Sequence, residues 1–377
     1  MERWRISLAG LFVVAGLVAC GGTGGTGAAG GAAAGGAGGA APAGGSSAGG
    51  AGGAPLQPGT DAVVTPFDKT PVYFTGDDNQ RMVDLDATFP ADGLYSKIVL
   101  HLSLDCPAGG CDPWDRFGSL GVVTQKGATP DQDQVIEIAR FITPYHVAGT
   151  WDFDVTDLRP LLSGPVTLQV FIDTWVGPGS PYGDGWLFSA SFEMTGGIPE
   201  KIPVSVTPVW PRTYVPYGDP LKPIATSAPA EEVALPAATS YSIYTWVTGH
   251  GQGNAGNCAE FCSRDHTLTV GGTDHAATIW RDDCATTAVP NQQGTWKYSR
   301  AGWCPGADVH PWITDVTADA NGKSTLPVAY NVEDYENTCR PDAQTCQGCT
   351  LGTGCDYDGG AHTEPNYQLS ALLVGFK

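Results

Sequence analysis

Basic side chains are scarce: the 377-residue chain carries 19 Lys and Arg against 39 Asp and Glu, a formal charge of −20. Nucleic acids and anionic membrane surfaces are bound through Lys/Arg clusters, so this balance argues against both. Long apolar runs are missing too. The longest, Ile6–Ala19, falls short of the ~20 residues that span a bilayer as a helix. Nucleophile and phosphate motifs lend no support: outside the Gly/Ala-rich stretch 21–60 there is no G-x-S-x-G elbow, and the abundant glycines follow no phosphate-loop pattern. The seven histidines form no H-x-H or H-E-x-x-H motif, and the cysteines form no CxxC…CxxC pattern. The exception worth weighing is His266 and His275, at the ends of an expected hairpin, which could share an ion.

Cysteine, aromatic and turn residues are plentiful. Of the 11 cysteines one, Cys20, belongs to the leader; the even remainder lies in close pairs, which favours disulfides in an oxidising compartment. Arg3 and Arg5 precede the apolar run, which ends in Leu17–Cys20 (LVAC). This resembles a bacterial lipobox and predicts a signal peptide over 1–20, with Cys20 as the lipidated residue. Residues 21–60 are almost wholly Gly, Ala, Ser and Thr with occasional Pro, cannot bury a core, and read as a flexible tether. The expected setting is export, to an outer membrane or cell surface or into the medium, with membrane contact only through Cys20.

From Asp61 the pattern turns to period two. In Lys97–Leu104 (KIVLHLSL), Ile98, Leu100 and Leu102 share one face; in Val166–Trp175, Val166, Leu168, Val170 and Ile172 do so, opposite Gln169, Phe171, Asp173 and Trp175. Short strands between Gly/Pro/Asp turns predict an all-β sandwich or jelly-roll fold. The Pro-rich passage Ile198–Pro223 breaks the pattern and is taken as a boundary between 61–197 and 198–377. The second block adds strands at Tyr241–Val247, His266–Val270, Ala276–Trp280, Leu326–Val332 and Leu369–Phe376, and a Cys-rich insert over 339–355.

The first expected strand empties into Cys106–Arg116 (CPAGGCDPWDR), a loop that two cysteines could clamp and that sets Asp115 between Trp114 and Arg116. A second candidate clamp, Cys258–Cys262 (CAEFC), places Glu260 beside Phe261. Asp173, beside Trp175, lies on the non-core face of its strand. Carboxylates on cross-linked loops suit acid–base hydrolysis. The aromatic faces and scarce positive charge suit sugars. On the residues alone, hydrolysis of a glycoside or glycoconjugate and plain carbohydrate binding both stay open.

Four stretches in colinear order, CPAGGCDPWDRFGSL (106–120), EIARFITPYHVAGTWDFDVTDLRPLLSG (137–164), NCAEFCSRDHTLTV (257–270) and RAGWCPGADV (300–309), resemble the peptide-N-glycosidase F family. The resemblance covers about Asp61 to Val332. It implies two jelly-roll-like antiparallel β-sandwich domains packed side by side, rich in disulfides, with the site in the cleft between them. The implied activity is hydrolysis of the amide joining an asparagine side chain to the first N-acetylglucosamine of N-linked glycans, releasing a glycosylamine and leaving Asp. The alternative is a non-catalytic glycan-binding surface lipoprotein on the same scaffold. The resemblance further implies no metal and no cofactor, N-glycoprotein or glycopeptide partners, and a monomer. It assigns catalysis to Asp115 and Glu260 and places Arg116, Arg300 and Trp303 in the substrate cleft; Asp173 is expected as a third catalytic carboxylate and the neighbouring aromatics Trp114, Trp175 and Phe261 as further substrate contacts. It also implies the disulfides Cys106–Cys111, Cys258–Cys262 and Cys284–Cys304. Two departures stand out: Asp173 replaces a family Glu, and Gly249-His250-Gly251-Gln252 replaces Gly-Trp-Gly-His.

Overall fold

The computed structural model describes residues 56–253, 258–340 and 363–377. The leader with Cys20, most of the tether, and Cys346, Cys349 and Cys355 lie outside the described residues. Residues 54–377 belong to one compact unit.

Two antiparallel five-stranded sheets make the first sandwich. In one, Ala62–Phe74, Trp186–Gly196, Tyr95–Asp105 and Gly149–Asp154 lie side by side, with the short Asn79–Gln80 at the edge. In the other, Gln134–Ile142, Phe117–Gln125, Gly164–Ile172 and Met82–Phe89 are joined at one edge by Asp308–Val309, lent by the second half of the chain. The alternation read from sequence is what fills the space between them. Ile98, Leu100, Leu102, Leu168, Val170 and Ile172 are all buried there, together with Phe188 and Phe192. Residues just before Asp61 already belong to the sandwich, because Gly59 donates to the Leu94 carbonyl at 2.7 Å. A Cβ at Gly59 would lie 2.5 Å from the Tyr95 ring, so this close approach requires glycine.

The second sandwich pairs a sheet of Pro203–Pro216, Asn366–Phe376, Ser240–His250 and Trp312–Asp315 with one of Glu231–Ala234, Thr325–Val332, Arg264–Val270 and Thr273–Ile279. The Pro-rich passage is therefore a long edge strand. Register shifts at Pro203/Ser205, Pro208/Trp210 and Trp210/Thr213 absorb its prolines, which an interior strand would not tolerate. The first of these sheets is buried on both faces. Ile243, Val247, Leu369 and Leu373 face their own sandwich, whereas Tyr244, Trp246, Leu372 and Val374 join the core cluster of the first. Two-sided burial explains why Leu369–Phe376 reads as a nearly continuous apolar run rather than an alternating one.

Across this junction Arg140, wholly buried, forks onto Glu137 at 2.7 and 2.8 Å. It also donates to the Gln368 carbonyl at 2.7 Å and to Ser370 Oγ at 3.1 Å. Ser370 in turn donates to Glu137 Oε2 at 2.7 Å, so the buried pair is closed by hydrogen bonds from both sandwiches.

Candidate active site

Each sandwich turns from one of its sheets to the other through a disulfide-clamped loop, and the two loops supply the two carboxylates. The first, 106–116, connects Tyr95–Asp105 to Phe117–Gln125 and is closed by Cys106–Cys111. The second lies between Ser240–His250 and Arg264–Val270 and is closed by Cys258–Cys262. Cys284–Cys304 spans the segment that carries Arg300.

Asp112 organises the first loop. It is fully buried, and its carboxylate accepts from Thr174 Oγ1 at 2.7 Å, the Trp114 amide at 2.9 Å and Arg116 Nε at 3.0 Å. Thr143 stitches the next turn, donating to the Trp114 carbonyl at 2.9 Å and accepting from the Arg116 amide at 2.8 Å. These bonds fix Asp115 between them. Its Oδ2 accepts a hydrogen bond from the Tyr145 hydroxyl at 2.5 Å and lies 3.8 Å from Arg300 Nη2. Burial pushes the Asp115 carboxyl above the usual range, while Tyr145 and Arg300 pull the other way. Burial also raises the Tyr145 hydroxyl far enough to keep it a neutral donor.

Glu260 joins the same row: Arg300 Nε donates to its Oε1 at 3.1 Å. Its carboxyl is pushed up to about 7 by burial and by the Asp115 charge, against the pull of Arg300. Arg300 thus stands between the two carboxylates. It is 1% exposed, clasped between the Phe261 and Trp303 rings at 4.9 and 4.8 Å. Its remaining donors go to the Thr295 and Tyr298 carbonyls and to Thr295 Oγ1, at 2.9–3.1 Å.

That arrangement changes two expectations. Arg300 and Trp303 were expected to bind substrate. Arg300 has its donors engaged, and Trp303 is 2% exposed, with Nε1 on the Gly249 carbonyl at 2.6 Å. Both hold the site from behind. Arg116 differs: Nε is held by Asp112, its guanidinium lies 4.9 Å from the Trp114 ring, and its outer nitrogens have no hydrogen-bond partner among the described residues.

Asp173 stands apart from the Asp115–Arg300–Glu260 row. It pairs with Arg81 at 3.3 Å, and Arg81 in turn covers the Trp175 ring at 4.3 Å. Burial raises its carboxyl, opposed by Arg81, Arg116 and Arg212. Trp114, Tyr182 and Trp175 form an open aromatic rim, being 39%, 53% and 53% exposed. His250, where the family motif has Trp, stacks on Trp303 at 5.1 Å and bonds Thr248 through Nε2. His266 and His275 do not converge on an ion, since each has its own partner, Tyr330 at 2.6 Å and Asp319 at 3.0 Å. Among the described residues the one grouping tight enough for a metal is Asp283, Cys284 and Cys304, and its two sulfurs are the disulfide.

Sequence reasoning missed Tyr145 and Thr143 as parts of the site, and the organising role of Asp112. Tyr145 and Thr143 lie in the TPYH run of a stretch already singled out, but nothing in a single sequence says which loop a tyrosine hydroxyl reaches.

Comparison with known proteins gives this geometry a lineage. Residues 67–180 match the N-terminal, and 225–348 the C-terminal, region of peptide-N-glycosidase F. Peptide-N(4)-(N-acetyl-beta-D-glucosaminyl)asparagine amidase F of Elizabethkingia miricola is 32% identical over 72% of this chain and 77% of its own. The three-dimensional structure of PNGase F, a glycosylasparaginase from Flavobacterium meningosepticum, superposes with a TM-score of 0.68 at 26% identity, over 85% of this chain and 96% of that one. PNGF-II shares the fold, with a TM-score of 0.60 at 17% identity over 84% of this chain and 65% of its own. The chain belongs to the peptide-N-glycosidase F family of enzymes.

Proposed function

We propose that this enzyme hydrolyses the amide between an asparagine side chain and the first N-acetylglucosamine of an N-linked glycan, releasing the glycan as a glycosylamine and leaving Asp. The observation that carries the reading is the row Asp115–Arg300–Glu260, two carboxyls of raised pKa on loops from different sandwiches, joined through one buried guanidinium.

Asp115 is the base. Tyr145 and Arg300 both engage Oδ2, which leaves Oδ1 to take a proton from water. An ordinary Asp, near pKa 3.9, is weak at that task, and burial moves Asp115 towards the working pH. The water oxygen attacks the amide carbon while its proton passes to Asp115. The charge developing on the carbonyl oxygen falls to the outer nitrogens of Arg116, the donors left uncommitted in the cleft. The C–N bond then breaks and the nitrogen leaves as the glycosylamine, taking up the proton. Ionised Glu260 accepts hydrogen bonds from the sugar, and Trp114, Tyr182 and Trp175 offer faces for stacking.

A denatured N-glycoprotein treated in water enriched in heavy oxygen tests this. The expected result is Asp at the glycosylation site carrying one solvent oxygen, abolished by Asp115→Asn. No release from high-mannose, hybrid or complex glycans would sink it. The exposed aromatic rim supports the alternative, a glycan-binding surface protein, and equal glycan binding by wild type and Asp115→Asn without turnover would select that. The LVAC leader and Gly/Ala tether support a lipid anchor at Cys20. The full chain should then fractionate with membranes, and Cys20→Ala should not.

A further inference from the structure

Beyond the catalytic row a groove of about 450 Å³ leads away along the outer face of the first sandwich. Ser119, Gln169, Phe171, Asp131 and Asp133 line it together with Arg212, from the Pro-rich edge strand of the second sandwich. Among the described residues Arg212 is the one arginine with neither a hydrogen bond nor an ion pair. Its guanidinium is held instead over two rings, 4.0 Å from the Phe171 centroid and 5.1 Å from Phe117. The acids around it are engaged elsewhere. Glu137 forks onto Arg140, Asp173 pairs with Arg81 at 3.3 Å, and Asp133 accepts from the Gly127 amide at 2.6 Å and lies 3.8 Å from Lys126. Asp131 is exposed to solvent. A rigidly stacked guanidinium with a free fork of donors is a receptor for a planar carboxylate.

Chain neighbours tie the groove to the site, since Arg212 rests on the Phe117 and Phe171 rings. Phe117 follows Arg116 in the chain, and Phe171 precedes Asp173 by two residues. Two residues of extended chain from Asp115 to Phe117, at about 3.3 Å each, and the 5.1 Å stacking distance put the Arg212 guanidinium on the order of 10 Å from Asp115. About three residues of extended polypeptide cover that span. The acidic sugars of a branched glycan sit many bonds farther from the linkage.

We propose that Arg212 and this groove receive a carboxylate side chain of the substrate's polypeptide, about three residues from the glycosylated asparagine, so that the enzyme prefers glycopeptides with an acidic flank. The inference rests on the amidase reading of the adjoining site. Its test uses fluorescently labelled glycopeptides carrying one common glycan and differing only in Glu or Gln at flanking positions. A third arm places a sialylated glycan on the Gln peptide. Anisotropy reports binding and glycan release reports kcat and KM. The Glu-flanked peptide should bind about fivefold tighter, with the gain in KM. Arg212→Gln should erase the difference, and Arg212→Lys should restore only part of it, because an ammonium lacks the fork. Equal handling of Glu and Gln flanks by wild type, a preference that survives Arg212→Gln, or one that follows sialylation instead would each overturn it. Absence of glycan release from every peptide would instead defeat the amidase reading, and the binding arm would still decide the role of Arg212.

Discussion

Glu260 shows how a single residue can be tuned for chemistry at the expense of the fold. Its carboxyl is raised from 4.5 to about 7, chiefly by burial and secondarily by Asp115. Between those values the folded chain binds a proton that the unfolded chain has lost. Wild-type stability therefore falls as pH rises from about 4.5 to about 7, by on the order of 3 kcal/mol at most. Glu260→Gln does not titrate and escapes that loss. Its melting temperature relative to wild type should climb between pH 4.5 and pH 8, while glycan release collapses; a pH-independent difference would contradict the assignment. The same ionisation should place an acid limb near pH 7 in the wild-type kcat/KM profile. The residual activity of Glu260→Gln should lack that limb.

At the scale of loops and strands, the disulfides Cys106–Cys111 and Cys284–Cys304 separate in what they hold. Closure of the short Cys106–Cys111 ring removes about 2 kcal/mol of chain entropy from the unfolded state, against about 3 for Cys284–Cys304, whose partners lie 20 residues apart. The larger loop also contains Thr295, Tyr298 and Arg300, so the Cys284→Ser/Cys304→Ser variant should lose both thermal stability and activity. Cys106→Ser/Cys111→Ser should melt closer to wild type yet lose activity disproportionately, because its loop aims Asp115 and the Asp112 carboxylate remains to hold the rest of the turn. Paired melts and kcat/KM measurements separate these outcomes. Elements of this kind were legible to different degrees. The alternation in Lys97–Leu104 and Val166–Ile172 announced half-buried strands because one face meets a core and the other solvent. Pro203–Pro216 did not read as a strand, since proline removes ladder donors, and its edge position and bulges are tertiary facts. The clamped carboxylates were visible as motifs. The inward turn of Arg300 and Trp303 was not, because burial between two loops distant in sequence leaves no local pattern.

For the whole molecule, the decisive contact is the one that keeps the two sandwiches in register, since the site draws Asp115, Arg116 and Tyr145 from one and Glu260 and Arg300 from the other. The Arg140–Glu137 pair sits on that junction and is wired to the site. Arg140 Nη1 reaches Thr248 Oγ1 at 3.3 Å, Thr248 bonds His250 Nε2 at 2.8 Å, and His250 stacks on the Trp303 ring that backs Arg300. His250 is held neutral, its pKa lowered to about 3 by burial and by the Arg140 and Arg300 charges, so this path carries no second titrating group at neutral pH. Removing Arg140 alone strands the Glu137 carboxylate in a buried junction, a loss of about 3–5 kcal/mol. Replacing both members with apolar residues of similar volume removes the stranded charge. Arg140→Ala should therefore lower the melting temperature sharply, whereas Arg140→Met/Glu137→Leu should recover much of it. If the pair serves only packing, the double variant should regain activity along with stability. If it sets register, as its links to Ser370, Gln368 and Thr248 argue, the double variant should stay stable while kcat for glycan release remains depressed, and a double-mutant cycle on both quantities distinguishes the two.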